Sequence, residues 1–150
     1  MNSNERRWFQ KQFESKIESY FFTKDEKLHI FERLNSAEGL AKYLAAKYPG
    51  MKRFGIDGSE SLVPLVDAVI QNCGRLGANQ ICFGMAHRGR LNLLVNVLGK
   101  LPADLFSAFD ETGELEGANT GDVIYHLGFS YNIETPGGEV HVSLNKNPSH

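Results

Sequence analysis

The feature that most narrows the fold is a short apolar run that turns at a glycine into an apolar-periodic segment. Ile81-Cys82-Phe83-Gly84-Met85-Ala86 leads directly into His87-Arg88-Gly89-Arg90, after which Leu91 to Leu98 repeats apolar residues at helical spacing. A buried strand feeding a helix through a glycine turn is the opening half of a βα unit of a mostly parallel sheet. It aims the first backbone N–H groups of the helix at whatever lies above the strand end, which is a place to hold an anion. Arginine adds a planar fork suited to phosphate or carboxylate oxygens, and histidine moves a proton near neutral pH. The turn therefore reads as part of an active site.

Around this unit the chain organises into helices before it and strands after it. Trp8, Phe9, Phe13, Ile17, Tyr20 and Phe21 recur at helical spacing, which predicts an amphipathic first helix whose aromatic stripe is core by default. Asp25 is positioned to cap a second helix through Leu28, Phe31 and Leu34. Asn35 with Glu38 forms a capping box for a third helix, Ala37 to Lys47, closed by Pro49-Gly50. Phe54 to Gly58 reads as an extended piece and turn, and Ser59 or Ser61 starts a helix carrying Leu62, Leu65, Val66, Val69 and Ile70, closed by Gly74 and Gly77. Pro102 opens a short helix through Leu105, Phe106 and Phe109, and Asp110 to Gly121 is expected to be an exposed loop. Val123 to Ser130 reads as a strand entering a glycine turn, Thr135 to Gly138 as a turn, and Val140, Val142 and Leu144 as the inward positions of a strand. The chain starts in helical composition and stops just after that strand, so the expectation is an incomplete piece of a longer protein.

Composition bounds the chemistry. A length of 150 residues fits one domain, and a net charge of −2 from balanced acids and bases leaves no footprint for nucleic acid. No apolar run approaches the ~20 residues of a membrane-spanning helix, and no signal-peptide pattern is present, so no membrane role is expected. Two cysteines, Cys73 and Cys82, do not make a disulfide framework and read as buried free thiols in a reducing compartment. The five histidines show no helical ligand pair and the cysteines form no knuckle, so no metal ligand is assigned in this chain. His29 reads as structural and His141 as a solvent-facing strand residue or a satisfied polar neighbour. Gly128-Phe129-Ser130 lacks the second glycine of a nucleophile elbow, and Gly55 to Gly58 lacks the spacing and lysine of a phosphate loop. His87 and His126 differ from the others, because each closes a strand-like run beside a glycine turn, where α/β sheets collect ligands.

As a set, the motifs become specific. Ala37-Glu38-Gly39-Leu40, Tyr43-Leu44-Ala45-Ala46-Lys47-Tyr48-Pro49-Gly50, Lys52-Arg53-Phe54, Gly84-Met85-Ala86-His87-Arg88-Gly89-Arg90-Leu91-Asn92, Val95-Asn96-Val97-Leu98-Gly99-Lys100, Thr120-Gly121-Asp122-Val123, Tyr125-His126-Leu127-Gly128-Phe129-Ser130 and Asn147-Pro148-Ser149-His150 follow in order. The series closely resembles the thiamine diphosphate-dependent first component of the 2-oxoglutarate dehydrogenase complex, over nearly the whole chain.

The resemblance implies a homodimeric parent several times longer, in the bacterial cytoplasm or mitochondrial matrix. Such a parent decarboxylates 2-oxoglutarate and passes the succinyl group to the lipoyl group of a succinyltransferase component. It implies that residues 1–50 are a helical segment and residues 51–150 the first part of the diphosphate-side cofactor domain. By motif position, Arg88 binds a diphosphate oxygen, His87 and His126 face the reacting carbon and the 2-oxo acid, and Ser149 and His150 line the cofactor pocket. Mg²⁺ accompanies the cofactor, but the Gly-Asp-Gly signature that holds it is absent here, as is the second cofactor domain, so the chain alone is expected to be inactive. Tyr131 stands where the family more usually has a small residue. Two alternatives stay open at the level of sequence. One is the same chemistry on 2-oxoadipate, and the other is a structural or interaction module that docks through its aromatic helices.

Overall fold

The computed structural model describes residues 2–17, 21–114, 126 and 128–147. The chain divides into two compact units, Met1–Phe31 and Glu32–His150.

The first unit holds α1 (Ser3–Ile17) and the opening of α2 (Lys24–Lys47). Both helices start on a reciprocal cap. Asn2 Oδ1 accepts from the N–H of Asn4 and Glu5 while Glu5 Oε2 accepts from the Asn2 N–H at 2.8 Å. Thr23 and Glu26 repeat the arrangement at α2, with the Glu26 carboxylate on the Thr23 N–H at 2.7 Å and the Thr23 hydroxyl on the Glu26 N–H at 3.2 Å. The cap is thus Thr23, not the expected Asp25. The expected break at Asn35 does not occur either, and α2 continues through it. A polar residue inside a helix can bond its own preceding turn instead of ending it, and Ser36 does so, donating to Glu32 O at 2.9 Å.

The second unit is built on a three-stranded sheet. Strands β1 (Gln80–Phe83), β2 (Phe129–Thr135) and β3 (Gly138–Leu144) lie in the order β1-β3-β2. β1 and β3 are parallel, with Ile81 opposite Val142 and Phe83 opposite Leu144, whereas β2 and β3 form an antiparallel hairpin. The expected mostly parallel sheet therefore holds for one of the two pairings. The other is antiparallel because Thr135-Pro136-Gly137-Gly138 is a tight turn, too short for a crossover. β2 starts later than the expected strand and runs on through Tyr131 to Thr135, a stretch whose polar composition hid it.

Alternation gives the sheet two unlike faces. Val140, Val142 and Leu144 are buried, and Ile81, Phe83, Phe129 and Ile133 share their side. Gln80, Cys82, Ser130, Asn132 and His141 lie on the other, exposed side. Cys82 is accordingly exposed rather than buried, Cys73 is half-buried, and both are free thiols. His141 faces solvent as expected, with its Nδ1 2.6 Å from Asn132 Oδ1.

Helices α3 (Leu62–Arg75), α4 (Arg90–Asn96) and α5 (Pro102–Glu114) complete the unit. α3 packs on β2 and β3. Gly74 is buried there, and a Cβ on it would run into the Thr135 side chain. α4 is buried over Arg90, Leu91, Asn92, Leu93 and Leu94, all round rather than on one stripe. Each such leucine contributes about 1.5–3 kcal/mol of hydrophobic stabilisation. Buried Asn92 donates to Ala37 O of α2 at 2.9 Å, and Arg33 of α2 donates to Asn96 O at 2.8 Å, so polar side chains tie α4 to that helix. α5 extends the expected short helix to Glu114, which removes the first residues of the expected loop at Asp110 to Gly121; residues 115–121 of that loop, and 123–125 of the expected strand, lie outside the described residues. Among the described residues, no helix is long and apolar enough to cross a membrane.

Candidate active site

The candidate site forms where β1 and β3 end and their chains separate. The last rung between them is the Asn145 N–H on Phe83 O at 2.9 Å. Beyond it, residues 84–87 lead to the histidine turn and residues 145–147 leave on the other side. Gly89 makes the turn possible. Its φ is +72°, in the left-handed region, and a Cβ there would stand 3.0 Å from Ile56 Cγ1. Its N–H donates to Phe54 O at 3.0 Å, which binds the turn to the 53–57 segment.

Phe54 itself has φ +43°, the positive value among the described non-glycine residues. Such a backbone costs about 1–3 kcal/mol and collects at functional sites. Its ring lies on the His87 imidazole, centroids 4.4 Å apart and planes 19° from parallel. The strained main chain thereby delivers both a carbonyl to Gly89 and an aromatic face to His87.

The two histidines chosen from sequence meet. His87 Nε2 is 2.9 Å from His126 Nε2, although 38 residues lie between them in the chain, and both side chains are half-buried. A hydrogen bond between two imidazole nitrogens needs a proton on one and a lone pair on the other, so the pair holds a proton on the line between the rings. His126 is held in turn by the Asn147 N–H, which donates to its carbonyl at 3.1 Å.

Arg88 is exposed beside the pair, and its Nη1 donates to Asp57 O at 3.1 Å. One of five guanidinium donors is used in orienting the fork. Asp57 thus enters the site through its carbonyl. Arg90 takes the opposite direction and is fully buried. The two arginines of the turn, alike in sequence, are split by it into one surface cation and one core cation. The α4 terminus also differs from expectation, since the amides of Gly89 and Arg90 donate to Phe54 O and His87 O at 3.0 and 3.1 Å. Those two amides are committed to the protein, and Arg88 is the exposed cation of the turn.

Ser149 and His150, assigned to the cofactor pocket by resemblance, lie outside the described residues. No group of three or more potential metal-ligating side chains occurs among the described residues. A cleft of about 200 Å³ adjoins the site, walled by Leu44, Met51, Arg53, Phe54, Asp57 and Gly89 among others. Phe54 and Asp57 were missed by sequence reasoning. The usable signal is the Lys52-Arg53-Phe54 motif.

No family model matches the chain. Among curated proteins it is similar to the 2-oxoglutarate dehydrogenase E1 component of Azotobacter vinelandii, at 54% identity over 150 residues, covering 100% of this chain and 16% of that protein. It is 49% identical over 146 residues to the protein of the same name from Cupriavidus necator, and 46% identical over 143 residues to that from Haemophilus influenzae, covering 97% and 95% of this chain and 15% of each relative. The chain therefore spans 15–16% of the length of these relatives.

Proposed function

Because the chain belongs with the 2-oxoglutarate dehydrogenase E1 components, as a part of that component's sequence, we propose that its parent enzyme decarboxylates 2-oxoglutarate with the His87–His126 pair at the reacting centre. The observation that carries this reading is the 2.9 Å contact between two imidazoles at a strand end, beside an exposed arginine. The parent works as a homodimer with thiamine diphosphate and Mg²⁺ and passes the succinyl group to the lipoyl group of a succinyltransferase component.

The donor set suits the cofactor. Arg88 supplies a fork already aimed by Asp57 O, and the resemblance adds Ser149 and His150 by motif position. When bound, thiamine diphosphate supplies the electron sink that loss of carbon dioxide requires. The chain's own groups do the rest. Negative charge develops on the substrate's ketone oxygen, and an imidazole N–H of the pair donates to it. The partner imidazole accepts or returns the proton, so the pair passes it along the Nε2–Nε2 axis without a solvent molecule. The Phe54 ring fixes the plane of His87 and keeps water from one of its faces.

In the full-length enzyme, His126→Ala is expected to lower 2-oxoglutarate turnover by about 10²–10⁴-fold, the usual range for loss of a positioned acid–base group. Thermal unfolding should stay close to that of the parent. Full turnover in a folded His126→Ala enzyme overturns the assignment.

A further inference from the structure

Among the described residues Arg90 is the bulkiest fully buried side chain, 0% exposed in the first turn of α4. A guanidinium keeps its charge, so the core accepts one only where its donors are used. Burial draws its pKa below the ordinary guanidinium value. Among the described residues two of its donors reach main-chain carbonyls of different segments, Nη1 to Met85 O at 3.3 Å and Nη2 to Asn145 O.

Those carbonyls lie where the sheet stops. The β1–β3 ladder ends with the Asn145 N–H on Phe83 O, and beyond that rung the two chains share no backbone hydrogen bond among the described residues. Arg90 spans the gap that the ladder leaves. Met85 is two residues before His87. Asn145 is two residues before Asn147, whose N–H holds His126 O at 3.1 Å. His126 Nε2 returns to His87 Nε2 at 2.9 Å, which closes a ring of contacts running from Arg90 through both segments to the histidine pair.

We propose that Arg90 is the positioning residue of the site, bridging the diverging ends of β1 and β3 and thereby setting the separation of His87 and His126. The proposal rests on the reading of those histidines as the reacting groups. Lysine is no substitute, because one ammonium on a flexible stem does not present two donors in a fixed plane to two carbonyls. Methionine fills similar volume and donates nothing.

The test is a double-mutant cycle in the full-length enzyme, with Arg90→Met, Arg90→Lys, His126→Ala and Arg90→Met/His126→Ala. Arg90→Met is expected to lower kcat on the order of 100-fold with KM changed by less than about threefold, as an ångström-scale misplacement of reacting groups does. Arg90→Lys should recover about tenfold of that loss, through the one bond it can still make. If Arg90 acts through the histidines, the double variant is no slower than His126→Ala alone. Losses that multiply, or an Arg90→Met enzyme that folds with unchanged kcat, overturn the proposal while leaving the histidine assignment intact. Full activity of His126→Ala removes the assignment and the proposal together. Should Arg90→Met fail to fold, Arg90→Lys decides through a crystal structure and its kcat. A His87–His126 separation still near 2.9 Å with kcat lowered is evidence against the proposal, and a widened pair with lowered kcat supports it.

Discussion

Helices α1 and α4 both carry apolar residues at helical spacing, yet they end in opposite environments. In α4 every residue from Arg90 to Leu94 is buried, the charged one included. In α1, Trp8, Phe9 and Phe13 are 58%, 47% and 66% exposed, against the expectation that an aromatic stripe is core. Local chemistry explains why both are helices, since α1 is capped by Asn2 and Glu5 and α4 starts at a left-handed glycine. It does not explain their burial. That comes from helices α2 and α3 packing against α4, and periodicity carries no information about which partner a face will find.

The comparison can be broken first at the turn that feeds α4. Gly89→Ala meets both a left-handed φ and Ile56 Cγ1 at 3.0 Å, and should destabilise the strand-end region by about 2–4 kcal/mol. Hydrogen exchange over residues 87–98 of the full-length enzyme would report it, and protection equal to the parent's would mean that the turn tolerates a side chain.

A buried aromatic with a polar tip should give a smaller, pH-dependent effect. Tyr48 is stacked on Phe109 with centroids 4.8 Å apart, and its hydroxyl donates to Asp110 Oδ1 at 2.8 Å. Burial first, then the hydrogen bond to Asp110, raises its pKa above the ordinary 10.0, with Lys47 opposing. A raised folded-state value means that the protonated phenol favours the fold. Its contribution is complete below pH about 10 and is lost as pH rises through the folded value. Tyr48→Phe should cost about 1 kcal/mol at neutral pH and make the alkaline decline in thermal stability shallower. An unchanged alkaline edge would mean that another group governs it.

The smallest effect is expected at the exposed end of the comparison. Phe13→Ala should change stability by less than about 0.5 kcal/mol if its exposure persists in the parent enzyme. A loss above about 2 kcal/mol would show that the longer protein covers this face, and would turn the contrast between α1 and α4 into one of partner rather than of kind.

Much of the site was legible because strand ends and glycine turns leave local marks. The apolar run before His87, the glycine after Arg88 and the glycine after Leu127 marked both histidines, and they meet, although His126 is helical and β2 starts only at Phe129. Phe54 was not legible as a site residue, since its role depends on a positive φ and on a ring lying over His87 from a segment more than thirty residues away. The division of labour between Arg88 and Arg90 was equally hidden. Two arginines two positions apart on a turn are chemically identical, and which one faces the core depends on where the turn enters the helix.

By itself the sequence determined most local elements and part of their punctuation: the left-handed glycine at 89, the proline start of α5 and the alternation of β3. It also determined kinship, because the ordered motifs carry the resemblance that the relatives bear out. Tertiary structure alone decided the antiparallel place of β2, the uninterrupted course of α2, the exposure of Cys82 and the burial of Arg90. The reason is physical. Caps, turns and periodicity act over a few residues and are written into the chain. Burial, strand partnership and the meeting of two imidazoles 39 positions apart are properties of surfaces that exist only after the chain has closed on itself.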